Sequence, residues 1–173
     1  MVAEEDVQAA LEHWSANPPD NFWTTGSDCP QFLLSGDNVM CTAWNGRIFD
    51  AQQQGEPLAI CWECGHLVGT GALVMAKGFK DSNPEAYEVA ELFIAWTGHP
   101  HINATQSKYI SYGPLNLKSA EFLTGPDYEH VLPSLPVSPA NVPFAIFENE
   151  KYSGENNSEW NDLWLAFLQS VDS

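Results

Sequence analysis

Cysteine thiols are the most reactive side chains in this 173-residue chain, which carries Cys29, Cys41, Cys61 and Cys64. The Cys61-Trp62-Glu63-Cys64 spacing suits either a redox pair or half of a metal site. A redox pair needs a helix N-terminus to lower the pKa of one thiol, and no helical pattern follows Gly65. A zinc site needs a second pair of ligands, for which His66 and the two more distant cysteines are candidates. Two ordinary buried cysteines are therefore expected at positions 61 and 64, without a metal or a catalytic disulfide.

Other polar clusters contain residue types found in active sites but lack the required context. His99-Pro100-His101 lies where a helical pattern stops, which predicts a solvated loop rather than a metal site. Ser27-Asp28 and Asp127-Tyr128-Glu129-His130 have no nucleophile elbow or triad around them. The sequence has neither a phosphate-binding loop nor a dinucleotide fingerprint. We therefore predict a protein that is not an enzyme and that uses no cofactor.

The junction Ala43-Trp44-Asn45-Gly46-Arg47 is more informative, because an apolar strand pattern ends there and a helical pattern begins. Open α/β sheets place their ligand crevice at the carboxyl ends of strands, so a Trp at this position can line a site. Its ring face attracts cations and offers a large apolar area. Trp is also a common core residue, and the junction alone leaves both interpretations open.

The elements that must position this junction are strands alternating with helices. Three apolar runs predict buried strands over residues 38–44, 57–62 and 67–77. Helical patterns cover residues 3–14, 29–34, 45–54, 102–109 and 115–123, and residues 126–143 are proline-rich and predict a wrapping loop. This alternation indicates an α/β fold, a layered sheet with flanking helices, although three strands make a thin sheet.

Two further helices have distinct signals. Ser82-Asn83-Pro84-Glu85 combines a capping side chain, a proline in the first turn and an acid near the positive helix end. The helix that it opens is expected to bury its apolar residues, which are Ala86, Val89, Ala90, Phe93 and Trp96. Near the C-terminus, apolar residues at helical spacing predict an amphipathic helix with an aromatic stripe, formed by Trp160, Leu163, Trp164, Phe167, Leu168 and Val171.

Charge is strongly unbalanced: 6 Lys and Arg stand against 23 Asp and Glu, for a net charge of −17 with neutral His. This field repels phosphate backbones and anionic lipid heads, which argues against nucleic-acid and membrane-surface binding. It favours a small cationic solute, a metal ion or a basic protein partner, although an acidic surface also serves solubility alone. No apolar run is long enough to span a bilayer, and residues 1–6 show no signal-peptide pattern.

The order of several segments resembles one family. Phe22-Trp23-Thr24-Thr25-Gly26 precedes the Trp44 junction, and Ala90-Glu91-Leu92-Phe93-Ile94 and then Tyr109-Ile110-Ser111-Tyr112-Gly113-Pro114-Leu115-Asn116 follow it. In this order the chain is similar to the C-terminal half of polyamine (spermidine/putrescine) substrate-binding proteins of ABC transporters. The resemblance implies a partial periplasmic-binding-protein type II-like fold, whose α/β lobes close on a cationic ligand between aromatic walls and carboxylates. It implies that Trp44 and Tyr112 are ligand-binding wall residues.

The resemblance also implies how the chain is divided. Residues 1–66 would form part of the second lobe, and residues 67–173 the crossover strand and the C-terminal part of the first lobe. The location implied is periplasmic or extracytoplasmic. In the family, the crossover strand carries an aromatic residue and an Asp that pairs with the ligand amine, where this chain has Gly69 and Gly71. Loss of that carboxylate leaves an ammonium desolvated without its partner, which costs several kcal/mol.

Two functions remain open at this point. In the first, the chain is a solute-binding-protein-like module that holds a small cationic solute at Trp44 and Tyr112, with a protein partner completing the fold. In the second, it is a degenerate relic that acts as a structural or interaction subunit of a larger complex, through exposed sheet edges and apolar faces. Both predict an oligomer or a complex subunit rather than a ligand-competent monomer.

Overall fold

A computed structural model of the protein describes the backbone of residues 4–171 and the side chains of residues 6–171. Its helices are α1 (Glu4–Ala16), α2 (Asp28–Ser35), α3 (Asn45–Gln53), α4 (Phe79–Ser82), α5 (Pro84–Thr97), α6 (Pro100–Gln106) and α7 (Glu150–Val171). Its strands are β1 (His66–Val68) and β2 (Ala145–Phe147). Short 3₁₀ turns lie at Trp62–Cys64, Leu117–Phe122, Pro126–Tyr128, Leu132–Ser134 and Val142–Phe144. A helix-rich chain with a small parallel sheet confirms the predicted α/β class.

Local signals located most helices well. The predicted helices at 29–34 and 45–54 are α2 and α3, each within one residue of its predicted limits. The helix predicted at 3–14 is α1, although Ala3 lies outside the described residues. The amphipathic stripe predicted from Trp160 belongs to α7, which begins ten residues earlier at Glu150. Residues 117–122 form a 3₁₀ helix rather than the predicted α-helix. None of the helices within residues 4–171 has the length and hydropathy of a membrane span.

The chain divides into two compact units, residues 1–41 with 148–173 and residues 42–147. We call them the terminal unit and the central unit. The lobe boundary predicted at residue 66 stays a prediction.

In the terminal unit, α1 packs against α7 through an aromatic cluster. Trp14 meets the rings of Trp164 and Phe167 edge-on, with centroids 5.8 and 6.2 Å away, and Phe22 meets the same two rings at 5.6 and 6.0 Å. Such aromatic pairs each add about 0.5–1.5 kcal/mol beyond the area that they bury. The predicted aromatic stripe on the last helix is therefore the contact surface that joins the two ends of the sequence.

The start of α2 accounts for the Ser27-Asp28 pair. Asp28 accepts hydrogen bonds from the backbone N–H groups of Thr24 and Thr25, both at 2.8 Å, and from the Thr25 hydroxyl. The side-chain bond from Thr25, followed by the backbone bonds, lowers the pKa of Asp28 to about 2. This carboxylate closes the turn before α2, so its role is structural.

Sheet formation differs from the sequence prediction. β1 and β2 pair in parallel, with His66 opposite Ala145 and Val68 opposite Phe147. Only the first residues of the predicted strand at 67–77 belong to β1, and β2 was not predicted. The predictions of strands at 38–44 and 57–62 are wrong. The structure describes both segments, and neither forms a strand. A strand requires a hydrogen-bonded neighbour, and an apolar run does not supply one.

Helix α5 begins as predicted but does not bury its apolar residues. Asn83 Oδ1 accepts a hydrogen bond from the Ala86 N–H at 3.2 Å, and Pro84 occupies the first turn. No residue of α5 is buried, and Val89, Phe93 and Trp96 are exposed by 66%, 53% and 57%. The expectation that these three are buried is therefore wrong, because the helix is apolar around most of its circumference. Its partly buried face carries other residues, Ala86, Tyr87, Ala90, Ile94 and Thr97.

Candidate functional site

The candidate site is built around the N-terminus of α3 in the central unit. Trp44 precedes α3 with an extended backbone, and the helix then buries Ile48, Phe49 and Ala51. Phe49 packs with Val131 and Leu135 in the core of this unit. The proline-rich segment, predicted as a wrapping loop, therefore packs against α3 and forms a series of 3₁₀ turns. Because α3 is anchored along its buried face, its first turn has a defined position.

Asn45 joins three distant segments of the chain at this point. Its Nδ2 donates hydrogen bonds to Ser111 O at 2.6 Å, to Ser111 Oγ at 3.2 Å and to Ser134 O at 3.2 Å. Ser111 is completely buried. A buried or half-buried amide with several acceptors is costly to remove, because its partners would be left unsatisfied. Asn45 thus fixes the first turn of α3 against the 110–113 segment.

Gly46 and Tyr112 form the second contact between the same segments. A Cβ atom at Gly46 would lie 2.9 Å from Cε1 and Cζ of Tyr112 and 2.8 Å from Cγ1 of Ile110. The Tyr112 ring therefore lies directly over the glycine, in a space that a larger side chain would fill. Ser107 Oγ donates a hydrogen bond to Tyr112 O at 3.1 Å and holds the backbone in place.

The structure brings together the two segments that carry the predicted site residues. Trp44 and Tyr112 flank the contact between Asn45 and Ser111, and their side chains are 52% and 40% exposed. Both residues are therefore accessible to a solute, and the segments that carry them are in direct contact through Asn45 and Ser111. Their role as ligand walls stays a prediction.

Sequence reasoning missed the residues that hold this site together. Asn45 and Gly46 were part of the junction motif but were assigned no role, and Ser111 and Ser134 gave no signal. An Asn-Gly pair at the start of a helical pattern does indicate a tight junction. Its partners could not be found, because they lie 66 and 89 positions further along the chain.

The Cys61–Cys64 motif is a correction. Both cysteines are exposed and are joined by a disulfide, with their Cα atoms 5.4 Å apart. The expectation of buried cysteines at the end of a strand is wrong, because residues 62–64 form a 3₁₀ turn rather than an extended segment. Such a turn brings positions three apart onto one side, which is the geometry that a disulfide needs.

The remaining polar clusters have structural partners. His99 precedes α6 and His101 lies within it, edge-on to Phe122 at 5.4 Å. Lys108 Nζ lies 2.7 Å from the Asp127 carboxylate and 4.5 Å from the Tyr128 ring centroid. The hydrogen bond between the lysine and the carboxylate raises the pKa of Lys108 and lowers the pKa of Asp127. Within residues 6–171, no three His, Cys, Asp or Glu side chains are grouped as metal ligands.

The fold is a helix-rich, partial α/β architecture with a small parallel sheet. Residues 3–131 match the family model described as bacterial extracellular solute-binding protein. The chain belongs to that family. It is 35% identical over 170 residues to a gamma-aminobutyric acid-binding protein of Pseudomonas aeruginosa strain PAO1. This match covers 96% of the chain but 46% of the relative, so the chain spans about half of that protein's length. The matched family and this relative are binding proteins and not enzymes.

Proposed function

We propose that the chain is the C-terminal half of an extracytoplasmic solute-binding protein, and that it holds a small amine-bearing solute against Trp44 and Tyr112. The observation that carries this proposal is the junction between α3 and the 110–113 segment. Asn45 and Gly46 hold the segments together while both aromatic rings remain accessible. A binding wall needs this combination, because rings that are fixed in place lose little entropy when a ligand arrives.

The chemistry around Trp44 favours a solute with one ammonium and one carboxylate. Aromatic ring faces attract an ammonium group. The positive end of α3 and the exposed guanidinium of Arg47 lie next to Trp44 in sequence and suit a carboxylate. Gamma-aminobutyric acid, which names the Pseudomonas relative, carries both groups. A polyamine carries only ammonium groups, and a carboxylate is absent at positions 69 and 71, so a polyamine suits this chain less well.

A second candidate is a structural or interaction subunit without a ligand of its own. It is favoured by the apolar face of α5, formed by the exposed residues Val89, Leu92, Phe93 and Trp96. It is also favoured by the β1–β2 pair, since parallel sheets are normally covered on both faces while Leu67 and Ile146 are exposed here by 68% and 64%. In either candidate we propose that a second polypeptide, equivalent to the other half of a solute-binding protein, completes the fold. In the first, a transporter receives the solute.

A chimera tests the choice between these functions. The matched part of the Pseudomonas relative is replaced by this chain, and calorimetric titrations with gamma-aminobutyric acid, putrescine and spermidine follow. We expect the amino acid to bind more tightly than either polyamine. Trp44→Ala and Tyr112→Ala should each weaken binding by roughly 2- to 30-fold, the range of a lost cation–π contact.

Tyr109→Ala is the matched control. Its side chain lies three residues from Tyr112 and is 82% exposed, so affinity should not change. Equal affinity in the Tyr112→Ala and Tyr109→Ala variants would refute the proposed wall. A folded chimera that binds none of the three solutes would favour the second candidate.

A further inference from the structure

The disulfide between Cys61 and Cys64 lies on the surface of the central unit. It encloses the short turn formed by Trp62 and Glu63, and both cysteines are exposed. A thiolate in solution can therefore reach this bond, which is the requirement for thiol–disulfide exchange. The other two cysteines differ: Cys29 is buried, and burial with the neighbouring Cys41 side chain raises its pKa to about 12. A thiol with so high a pKa is a poor nucleophile.

The turn closed by this disulfide is fastened to the 133–137 segment. Trp62 Nε1 donates a hydrogen bond to Pro133 O at 2.9 Å, and His66 Nε2 donates one to Pro136 O at 2.9 Å. The two rings meet edge-on, with centroids 4.7 Å apart. The disulfide therefore constrains Trp62, which donates the first of these hydrogen bonds. Its second cysteine, Cys64, lies two residues before His66, which donates the other.

The 133–137 segment in turn supports the candidate ligand site. Ser134 O accepts a hydrogen bond from Asn45 Nδ2 at 3.2 Å. Val137 packs against the residue after Tyr112, because a Cβ atom at Gly113 would lie 2.7 Å from Val137 Cγ2. A continuous series of contacts thus runs from the disulfide, through Trp62 and the 133–137 segment, to both sides of the candidate site.

We propose that Cys61–Cys64 is a thiol-exchange site, and that a thiol or dithiol which opens it loosens the 133–137 segment beneath the candidate ligand site. A thiolate attacks one sulfur to form a mixed disulfide and releases the other sulfur as a thiolate, which takes up a proton. A second thiolate then attacks the mixed disulfide. Two thiols are oxidised to one disulfide while the two protein sulfurs are reduced to thiols. Only the effect on ligand affinity depends on the proposed function; loosening of the segment does not.

Hydrogen exchange of the full chain, followed by mass spectrometry with and without dithiothreitol, tests this proposal. The reporters are the Ser134 and Leu135 amides, which donate to Val131 O and Leu132 O at 2.9 and 3.3 Å. After reduction, these amides should exchange about five- to tenfold faster, as expected when a supporting hydrogen bond is weakened. Removal of the reductant and reoxidation should restore the slow rate.

Two variants provide the controls. The double variant with Cys61→Ser and Cys64→Ser should exchange fast without reductant and should not respond to it, whereas Cys41→Ser should respond like the unaltered chain. If the double variant does not fold, the reduction and reoxidation cycle of the unaltered chain still decides. Unchanged exchange at Ser134 and Leu135, once alkylation shows that Cys61 and Cys64 are fully reduced, would overturn the proposal. The readout needs no solute, so failure here is distinct from failure of the proposed binding function.

Discussion

At the scale of single residues, the candidate site depends on the side-chain amide of Asn45 and on the absence of a side chain at Gly46. Asn45 Nδ2 satisfies acceptors in two other segments, and Gly46 leaves room for the ring of Tyr112. Neither residue needs to touch a solute to matter. Each decides where an accessible aromatic ring is held, which makes them positioning residues in the proposed function.

Gly46→Ala tests this arrangement. The new Cβ atom would approach Ile110 and Tyr112 to within 2.8 and 2.9 Å, and overpacking of this kind costs about 1–3 kcal/mol. We expect the free energy of unfolding to fall by that amount in urea titrations. Gly154→Ala is the control, because Gly154 lies within α7 with open space around its Cβ position. There, alanine should stabilise the helix by about 0.5–1 kcal/mol. Equal stability of the two variants would contradict the close contact at Gly46.

At the scale of elements, α5 and the β1–β2 pair have more apolar surface than the described chain covers. A helix that is apolar around most of its circumference is normally buried. α5 instead presents Val89, Leu92, Phe93 and Trp96 to solvent, and Ile146 and Phe147 of β2 are exposed by 64% and 62%. These elements have the composition of a protein interior, which supports the proposal that a second polypeptide covers them.

Leu92→Glu tests the proposed contact surface on α5. Leu92 is 70% exposed, so in the chain alone the substitution should change the unfolding free energy by no more than about 0.5 kcal/mol. Association with the remainder of the Pseudomonas relative should weaken about tenfold or more, because a carboxylate would be buried without a partner. Sedimentation velocity measures this association. Leu165→Glu, at a 48% exposed leucine of α7, is the matched control. Equal effects of the two substitutions would contradict a specific role for α5.

At the scale of the whole molecule, the exposed surface is larger than expected for a compact monomer of this mass. The chain exposes 12294 Å², whereas a compact monomer of 19.1 kDa exposes about 8,400 Å². Two separately folded units of these sizes would together expose about 10,000 Å². The excess is comparable with the roughly 2,000 Å² or more that obligate interfaces bury.

We therefore expect that the purified chain is not a ligand-competent monomer. Its net charge of −17 opposes close self-association, so a less acidic partner is favoured over a second copy. When the completing polypeptide is added, light scattering should show a larger species and the thermal transition should sharpen. A sharply melting monomer that binds putrescine or spermidine at micromolar concentration would contradict both the proposed incompleteness and the proposed loss of the amine-pairing carboxylate.

The sequence by itself determined the features that depend on neighbouring residues. Asn83 and Pro84 set the start of α5, and the spacing from Trp160 to Val171 set the face of α7. The order of the segments identified the solute-binding family, whereas the polyamine specificity and the ligand-wall roles of Trp44 and Tyr112 stay predictions. The hydrophobic pattern, however, predicted strands at 38–44 and 57–62 that do not form, because this pattern does not report whether a pairing partner exists.

Tertiary structure alone decided which of these residues meet. The bond from Asn45 to Ser111 spans 66 positions, the bond from Trp62 to Pro133 spans 71, and the pairing of β1 with β2 joins similarly distant segments. The exposure of α5 was decided in the same way, because its apolar residues are buried only where another surface covers them. Local preferences fix backbone conformation within a few residues, whereas contacts over such separations depend on how the whole chain packs.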